Sequence, residues 1–520
     1  MDGTAHIVNI AAFHKALSSG DFPVRWVDGF ANYGLPMGSF AQQFTSYAGA
    51  FLTFLTHDVL VSFNFVYVIG TISSVVLFYL FLRFYFDSWP SFVGAFLFNF
   101  APYRIINFYI RGAIPEYFSS VFFVLILICL YLFIKKKFKW AYIGLALSVF
   151  GMILSHPMNV VTSSVFIGPY LIYLILGEKN KLKTLISVSS SIFLGVLLSS
   201  YYLVPLLRDI KYFYYGSSVN HYNPTHLDLE SFFNPNWYYF LTERNEILSR
   251  GHFIKTGLIE SILMILGTLV VIIKRGLKKQ ISFIDVAILS GLLSVFLTTK
   301  YSSFLYQNIN ILSNIQFPWR MLSTLIFVPP IIASYLLVKI KNKYLSYILS
   351  IILITAIAWN RFPQIYGKNF TIIPQENYYF TVENIHSSNM NTIWTANTDD
   401  YQVHKNDKVA ILEGEANLTD VSIMNSKRSF NIDSSAPVRM IDYTFYFPGW
   451  KVFVDGAEVP IEFQDVENKG VITYWVPEGK HTVEVIFTNT KTVLAGNYLS
   501  LFGLMAIGFM SLILSRPKKV

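Results

Sequence analysis

Five short lysine-rich breaks interrupt the long apolar runs of this 520-residue chain, and that alternation leaves few folds open to it. The breaks are 135–139 (KKKFK), 178–183 (EKNKLK), 274–279 (KRGLKK), 339–343 (KIKNK) and 516–519 (RPKK). A helix needs about 17–25 mostly apolar residues to cross bilayer hydrocarbon. Cationic loops stay on the cytoplasmic side. Spans are therefore expected near 59–82, 88–103, 114–134, 139–155, 157–177, 184–207, 254–273, 282–299, 319–338, 344–360 and 493–514. Alternation from an outside start places all five breaks inside. The run at 88–103 is the shortest and holds Pro90 and Pro102.

Composition agrees with a polytopic membrane protein. Hydrophobic residues make up 53% and charged residues 14%, against about 25% charged in soluble proteins, and the mean hydropathy is +0.47. The net charge of +9 does not point to nucleic acid, because a large share of the 40 Lys and Arg sits in the five breaks. Membrane lipids with anionic headgroups are the contact that charge implies. The single cysteine, Cys129, lies in an apolar run and can form neither an intrachain disulfide nor a thiolate metal site.

The expected fold is mainly α: a polytopic transmembrane bundle with a C-terminal exoplasmic domain resembling a β-sandwich. Residues 1–57 are too polar to span and form a first exoplasmic segment. They are expected to follow a transmembrane helix upstream of Met1, the alternative being insertion with the N-terminus outside. Residues 58–360 form a bundle of about ten helices with an exoplasmic loop at 208–253. Residues 361–492 form the β-rich insert, and 493–520 the last span and basic cytoplasmic tail. Within the insert, Tyr443, Phe445 and Phe447 alternate with polar or small neighbours, and Asp455-Gly456 between apolar runs signals a hairpin. A second hairpin is expected at 477–480, between 471–476 and 482–487. Sequons stand at Asn369 and Asn417.

The polar residues that can carry chemistry fall on the outer side. Asp2 is followed one helical turn later by His6. A carboxylate at the membrane surface can act as general base or hold a divalent metal beside a phosphate. It can equally be the cap of a helix holding Ile7–Ala16. The stretch 104–113 brings Arg104 and Arg111, followed by Glu116. This set suits a phosphate-bearing ligand, although snorkelling arginines and a first-turn glutamate read the same way. His156 joins two spans in a tight turn, where a ligand role and a structural one are both open. Arg320 follows Trp319, either as a phosphate or sugar contact with an aromatic face beside it or as an interfacial anchor. Arg208, Asp209, His221, His226 and Arg244 match no metal signature. There is no Walker loop, GxGxxG, HExxH or GxSxG.

Taken together, several pieces resemble a known family. They are Asp2 with His6, Arg25-Trp26, Tyr33-Gly34, Arg111-Gly112 with Glu116, Ser155-His156, the Gln-Phe-Pro-Trp-Arg run at 316–320, and the Tyr-Phe-Pro-Gly-Trp run at 446–450 with Asp455-Gly456. The chain resembles prokaryotic polytopic proteins labelled 6-pyruvoyl-tetrahydropterin synthase-related membrane domain, and more broadly GT-C-type glycosyltransferases. The pterin activity is not implied, since it requires a three-histidine zinc site and the ten histidines here are scattered. The GT-C resemblance implies sugar transfer from a polyprenyl-phosphate donor to a glycan or lipid acceptor of the envelope, with a divalent metal as an optional cofactor. Asp2 takes the catalytic acidic position, Arg111 and Arg320 the lipid phosphate, and His6, Glu116 and His156 substrate-lining roles.

Two further function classes stand beside this one. A non-catalytic membrane protein would use the β domain to bind glycan or a partner subunit, with Tyr443, Tyr446, Trp450, Tyr474 and Trp475 as stacking faces, although their alternation reads several of them as core instead. A transporter would place ionisable groups near mid-membrane and show inverted repeats, and no repeat is evident here.

Overall fold

The structure, a computed structural model, describes residues 2–213, 225–233, 256–275, 281–365, 378, 392–395, 408–465 and 467–515. The basic tail, His221, Arg244, Asn369 and most of 274–279 lie outside the described residues.

The apolar runs become helices close to where the sequence places them. Two helices of the N-terminal segment, α1 (Asp2–Ser18) and α2 (Gln43–Thr56), precede α3 (Val59–Leu82) and α4 (Ser88–Asn99). There follow α5 (Ile114–Ile134), α6 (Ala141–Ser155), α7 (Pro157–Leu176), α8 (Lys181–Leu198) and α9 (Ser200–Asp209). Then come α10 (Leu258–Arg275), α11 (Phe283–Thr298), α12 (Val328–Val338), α13 (Lys343–Ile365) and, after the β domain, α14 (Lys491–Ser515). Among the described residues, seven helical stretches are long and apolar enough to cross a membrane, with shorter apolar helices at Ala141–Ser155, Leu258–Ile273 and Phe283–Thr298.

Two expected spans are broken. The run at 88–103 is helical only to Asn99, because Pro102 has no N–H and the residue before it, Ala101, is extended (φ −60°, ψ 135°). At 12 residues α4 is about 18 Å long, too short to cross hydrocarbon alone, and it packs inward through Val93, Leu97 and Phe98. The run at 184–207 divides at Ser199 into α8 and α9.

Lys135 donates to the Leu174 carbonyl at 2.8 Å and lies 3.6 Å from Glu178, so the first two basic breaks meet at one end of the bundle. The 21 residues of α5 separate that end from Glu116 by about 30 Å, the thickness of bilayer hydrocarbon.

The β domain consists of two antiparallel sheets. Strands β1 (Val409–Glu413), β4 (Val438–Phe445) and β7 (Val471–Val476) form one, in the order β1-β4-β7. Strands β2 (Asn417–Ile423), β3 (Lys427–Ser434), β5 (Trp450–Val454), β6 (Ala457–Val459) and β8 (Gly479–Phe487) form the other, in the order β2-β3-β8-β5-β6. Met440, Ile472 and Tyr474 from the first sheet share a buried core with Phe430, Val452 and Val483 from the second, the layering of a sandwich. Asn417 is exposed on the edge strand β2. The hairpin at Asp455-Gly456 is present, both residues at positive φ (49° and 82°), as a two-residue primed turn requires.

The second expected hairpin is not formed. β7 pairs with β4, while β8 pairs with β3 and β5. Pro477, Glu478 and Gly479 make a corner between sheets, with Gly479 at φ 116°. Val476, Val483 and Val485 bury into the shared core from opposite layers, which a direct β7–β8 pairing would not allow.

The N-terminal segment is the platform on which this domain sits. Tyr33 stacks on Phe445 with centroids 4.5 Å apart and accepts a hydrogen bond from the Phe445 N–H at 3.1 Å, and Trp26 meets Trp450 edge-on at 5.0 Å. Trp450 and Tyr474 are core residues, which removes them as glycan-stacking faces, while Trp475 is exposed and Tyr443 and Tyr446 are half-buried.

Between the two parts lies a buried ionic cluster. Arg428 donates to Asp28 at 2.8 Å, Lys408 lies 2.9 Å from the same carboxylate, and Asp442 stands 3.5 Å from Arg428. Burial alone would raise the Asp28 carboxyl, but Lys408 and Arg428 outweigh it and hold the group below its ordinary value of 3.8. Its contribution is fully present above that ordinary value and is lost as pH drops through the lower folded-state value. Acidification below 3.8 is therefore expected to loosen the β domain from residues 21–35, read as rising amide hydrogen exchange there. Flat protection across that range would contradict it.

Candidate functional site

The site is built where α1 meets the turn before α5. Ile106–Ile110 forms a wide turn closed by the Arg111 N–H on the Ile106 carbonyl at 2.8 Å, a local insertion of the kind often found at functional positions. Gly112 follows at φ 68°, and the Gly3 N–H donates to the Arg111 carbonyl at 2.9 Å. A Cβ on Gly112 would lie 2.5 Å from the Gly3 Cα. Two glycines thus let the first turn of α1 rest directly on the Arg111 turn. The helix holding Ile7–Ala16 begins already at Asp2, and the Asp2 carboxylate reaches Arg111 at 3.0 Å.

Arg111 joins two carboxylates. Its other terminal nitrogen donates to Glu116 at 2.9 Å and to the Asn107 side chain at 2.8 Å, and the guanidinium sits 5.0 Å over the Trp319 ring. Glu116 is in the first turn of α5, where the helix dipole favours an anion. Its second oxygen accepts from the Tyr103 hydroxyl. The carboxylates differ in access: the Asp2 side chain is 47% exposed and that of Glu116 only 2%.

His6, His156 and Arg320 complete the set. Glu116 lies within electrostatic range of His156 and Arg320, and His156 within range of His6. All six residues singled out from the sequence therefore converge. Burial pushes the His6 imidazole down to about 4, with Asp2 opposing and Arg111 assisting, so His6 is neutral at physiological pH. His156 is buried, and its Nδ1 has no hydrogen-bond partner among the described residues. Arg320 donates to the Ile315 carbonyl at 3.0 Å and lies over Phe317 and Trp319. Among the described residues it has no carboxylate within ion-pair distance.

Three neighbours, Tyr103, Asn107 and Asn159, carry no local sequence signal, whereas Arg104 is one of the two arginines read from the 104–113 stretch. Tyr103 and Asn107 hold the Glu116–Arg111 pair. Asn159 bonds Ser119 at 2.5 Å. Arg104, 2% exposed, donates to Ser120 (2.9 Å), Ser74 (3.0 Å) and Tyr117 (2.7 Å), with no ion pair among the described residues. A buried cation in an apolar bundle marks a functional position by default. The other residues named from sequence stay apart: Arg208 is exposed, Asp209 is buried near Arg25, and His226 meets Ser303 at 3.1 Å.

Among the described residues, no three His, Cys, Asp or Glu side chains gather as a metal set. Arg111 fills the position between Asp2 and Glu116 that a divalent cation would need, so these donors do not fit one.

An apolar cavity of about 300 Å³ adjoins the cluster, with walls from α10, α11 and residues 322–329. Tyr103 belongs to both: its ring lines the cavity and its hydroxyl bonds Glu116.

Residues 41–366 match the family described as 6-pyruvoyl-tetrahydropterin synthase related domain, membrane protein. The chain belongs to that family. No curated protein and no solved structure matches it. The match contains Arg111, Glu116, His156 and Arg320, whereas Asp2, His6 and the β strands lie outside it. As a member of the 6-pyruvoyl-tetrahydropterin synthase related family, the chain is a multi-pass membrane protein with a C-terminal β-rich domain.

Proposed function

We propose that this protein is a GT-C-like membrane glycosyltransferase that moves a sugar from a polyprenyl-phosphate donor to an envelope acceptor on the exoplasmic face. The observation that carries the reading is the convergence of Asp2, His6, Arg111, Glu116, His156 and Arg320 beside an apolar cavity. With both histidines neutral, Arg104, Arg111 and Arg320 outnumber Asp2 and Glu116, which favours an anionic head such as a phosphate.

Asp2 is the general base, because it is the carboxylate that solvent and substrate can reach. It takes the proton of an acceptor hydroxyl as that oxygen attacks the anomeric carbon. The bond from that carbon to the phosphate oxygen breaks, and polyprenyl phosphate leaves with the electron pair, with inversion at the sugar. Arg320 and Arg111 meet the developing phosphate charge.

The test compares polyprenyl-linked sugars and envelope glycans by mass spectrometry in a deletion host, the same host carrying the gene, and one carrying Asp2→Asn. A polyprenyl-linked sugar is expected to accumulate in the deletion and to be cleared by wild type but not by Asp2→Asn. Full complementation by Asp2→Asn would remove Asp2 from the chemistry.

A further inference from the structure

The apolar cavity is not uniformly apolar. Glu260, at the start of α10, lines it and is only 7% exposed. One carboxylate oxygen pairs with Arg361 at 2.6 Å, while the other, Oε2, is buried with no hydrogen-bond partner among the described residues. A buried acceptor left unsatisfied is destabilising, so a ligand that brings a donor gains by supplying one. Arg361 already supplies the Glu260 carboxylate with a countercharge, so an ammonium head gains little there, and an anionic head would face the carboxylate. Ile265, Leu269 and Leu292 line the cavity and are also close to half exposed on the bundle surface. A chain can therefore enter sideways from the bilayer.

We propose that this cavity binds a neutral amphiphile, one apolar chain carrying a hydroxyl head, with the hydroxyl region donating to Glu260 Oε2. Tyr103 lines this cavity and donates its hydroxyl to Glu116, so the cavity adjoins the Glu116–Arg111 pair. Resting on the transferase reading, this ligand is the acceptor: a hydroxyl-bearing lipid that meets the anionic donor at Arg111 and Arg320 from the bilayer side. The two substrates are then sorted by charge. The phosphate goes to the arginines, and the neutral alcohol goes to a carboxylate that repels phosphate.

The test uses the full chain in lipid nanodiscs and a photoactivatable long-chain alcohol, with cross-linked peptides mapped by mass spectrometry. Labelling is expected on Leu258–Arg275 or Phe283–Thr298 and should be displaced by unlabelled alcohol. The chain-matched carboxylate, alkyl phosphate and alkylamine should compete roughly tenfold less well. Glu260→Gln should erase that preference. Leu292→Trp, on the exposed wall and away from the ion pair, should block labelling while the protein stays folded. Equal competition by all four heads, preference for the amine or an anion, or an unchanged preference in Glu260→Gln would each overturn the proposal. Because binding is read without turnover, alcohol binding alongside identical polyprenyl-linked sugars and envelope glycans in the deletion and wild-type hosts would remove the transferase reading and leave the cavity assignment standing.

Discussion

Replacing Arg111 with Met should collapse the site and cost about 3–5 kcal/mol, the range for breaking a buried ion pair by removing one partner. The change keeps most of the side-chain volume over Trp319 but leaves Glu116, 4% exposed, with no cation in contact. It also frees Asp2, whose ion pair with Arg111 is the charged contact that helps hold the start of α1. Thermal unfolding in detergent should fall, and hydrogen exchange across Asp2–Ser18 should rise, with sugar transfer lost. Arg111→Lys should be intermediate, because one ammonium cannot span two carboxylates as the planar guanidinium does. Adding Glu116→Gln to Arg111→Met should recover part of the stability, since the stranded charge is then gone, but none of the activity. An Arg111→Met protein as stable as wild type would show that the ion pairs do not hold this junction.

The helical part of the fold was legible because a bilayer imposes one rule on every span: enough apolar residues, with polar ones pushed to the ends. That rule also exposed the site, since Arg111, Glu116, His156 and Arg320 all stand at ends of apolar runs. Asp2 and His6 were found by position, and Gly3 and Gly112 explain how α1 comes to rest on Arg111. Tyr103, Asn107 and Asn159 were not found, because a tyrosine or asparagine near a helix end looks the same whether it faces lipid, a neighbour or a carboxylate. The break at Pro102 was visible, but its consequence, a helix too short to span, needed the backbone of Ala101. In the β domain a two-residue primed turn is a local event and could be read. The corner at 477–479 could not, because the partners of β7 and β8 are β4, β3 and β5, all distant in sequence. Glu260 and Arg361, 101 residues apart, gave no signal either.

The Asp28 cluster was equally hidden, and it carries the second large effect. Arg428 has no exposed surface; it donates to Asp28 and to Thr444, and stacks over Trp450 at 4.6 Å. Arg428→Met should cost about 3–5 kcal/mol, because Asp28 keeps Lys408 as its ion-pair partner among the described residues, and Asp442, fully buried, loses the guanidinium beside it. The damage should start at the junction of residues 21–35 with β3 and β4 and leave the bundle core intact. The bundle cores formed by Phe78, Phe98 and Phe327 are separate from it. Limited proteolysis should therefore release the β domain at lower temperature, while helix content is unchanged. The consequence reaches the site through the same segment: Val8, Ala12 and Phe13 of α1 share one buried cluster with Tyr33, Ile441 and Phe445. Loosening the β domain then loosens α1, and with it the hold of Asp2 on Arg111. Transfer activity should fall although Arg428 itself touches no substrate in this reading. Unchanged activity in a protein whose β domain has demonstrably come free would show that α1 is held by the bundle alone.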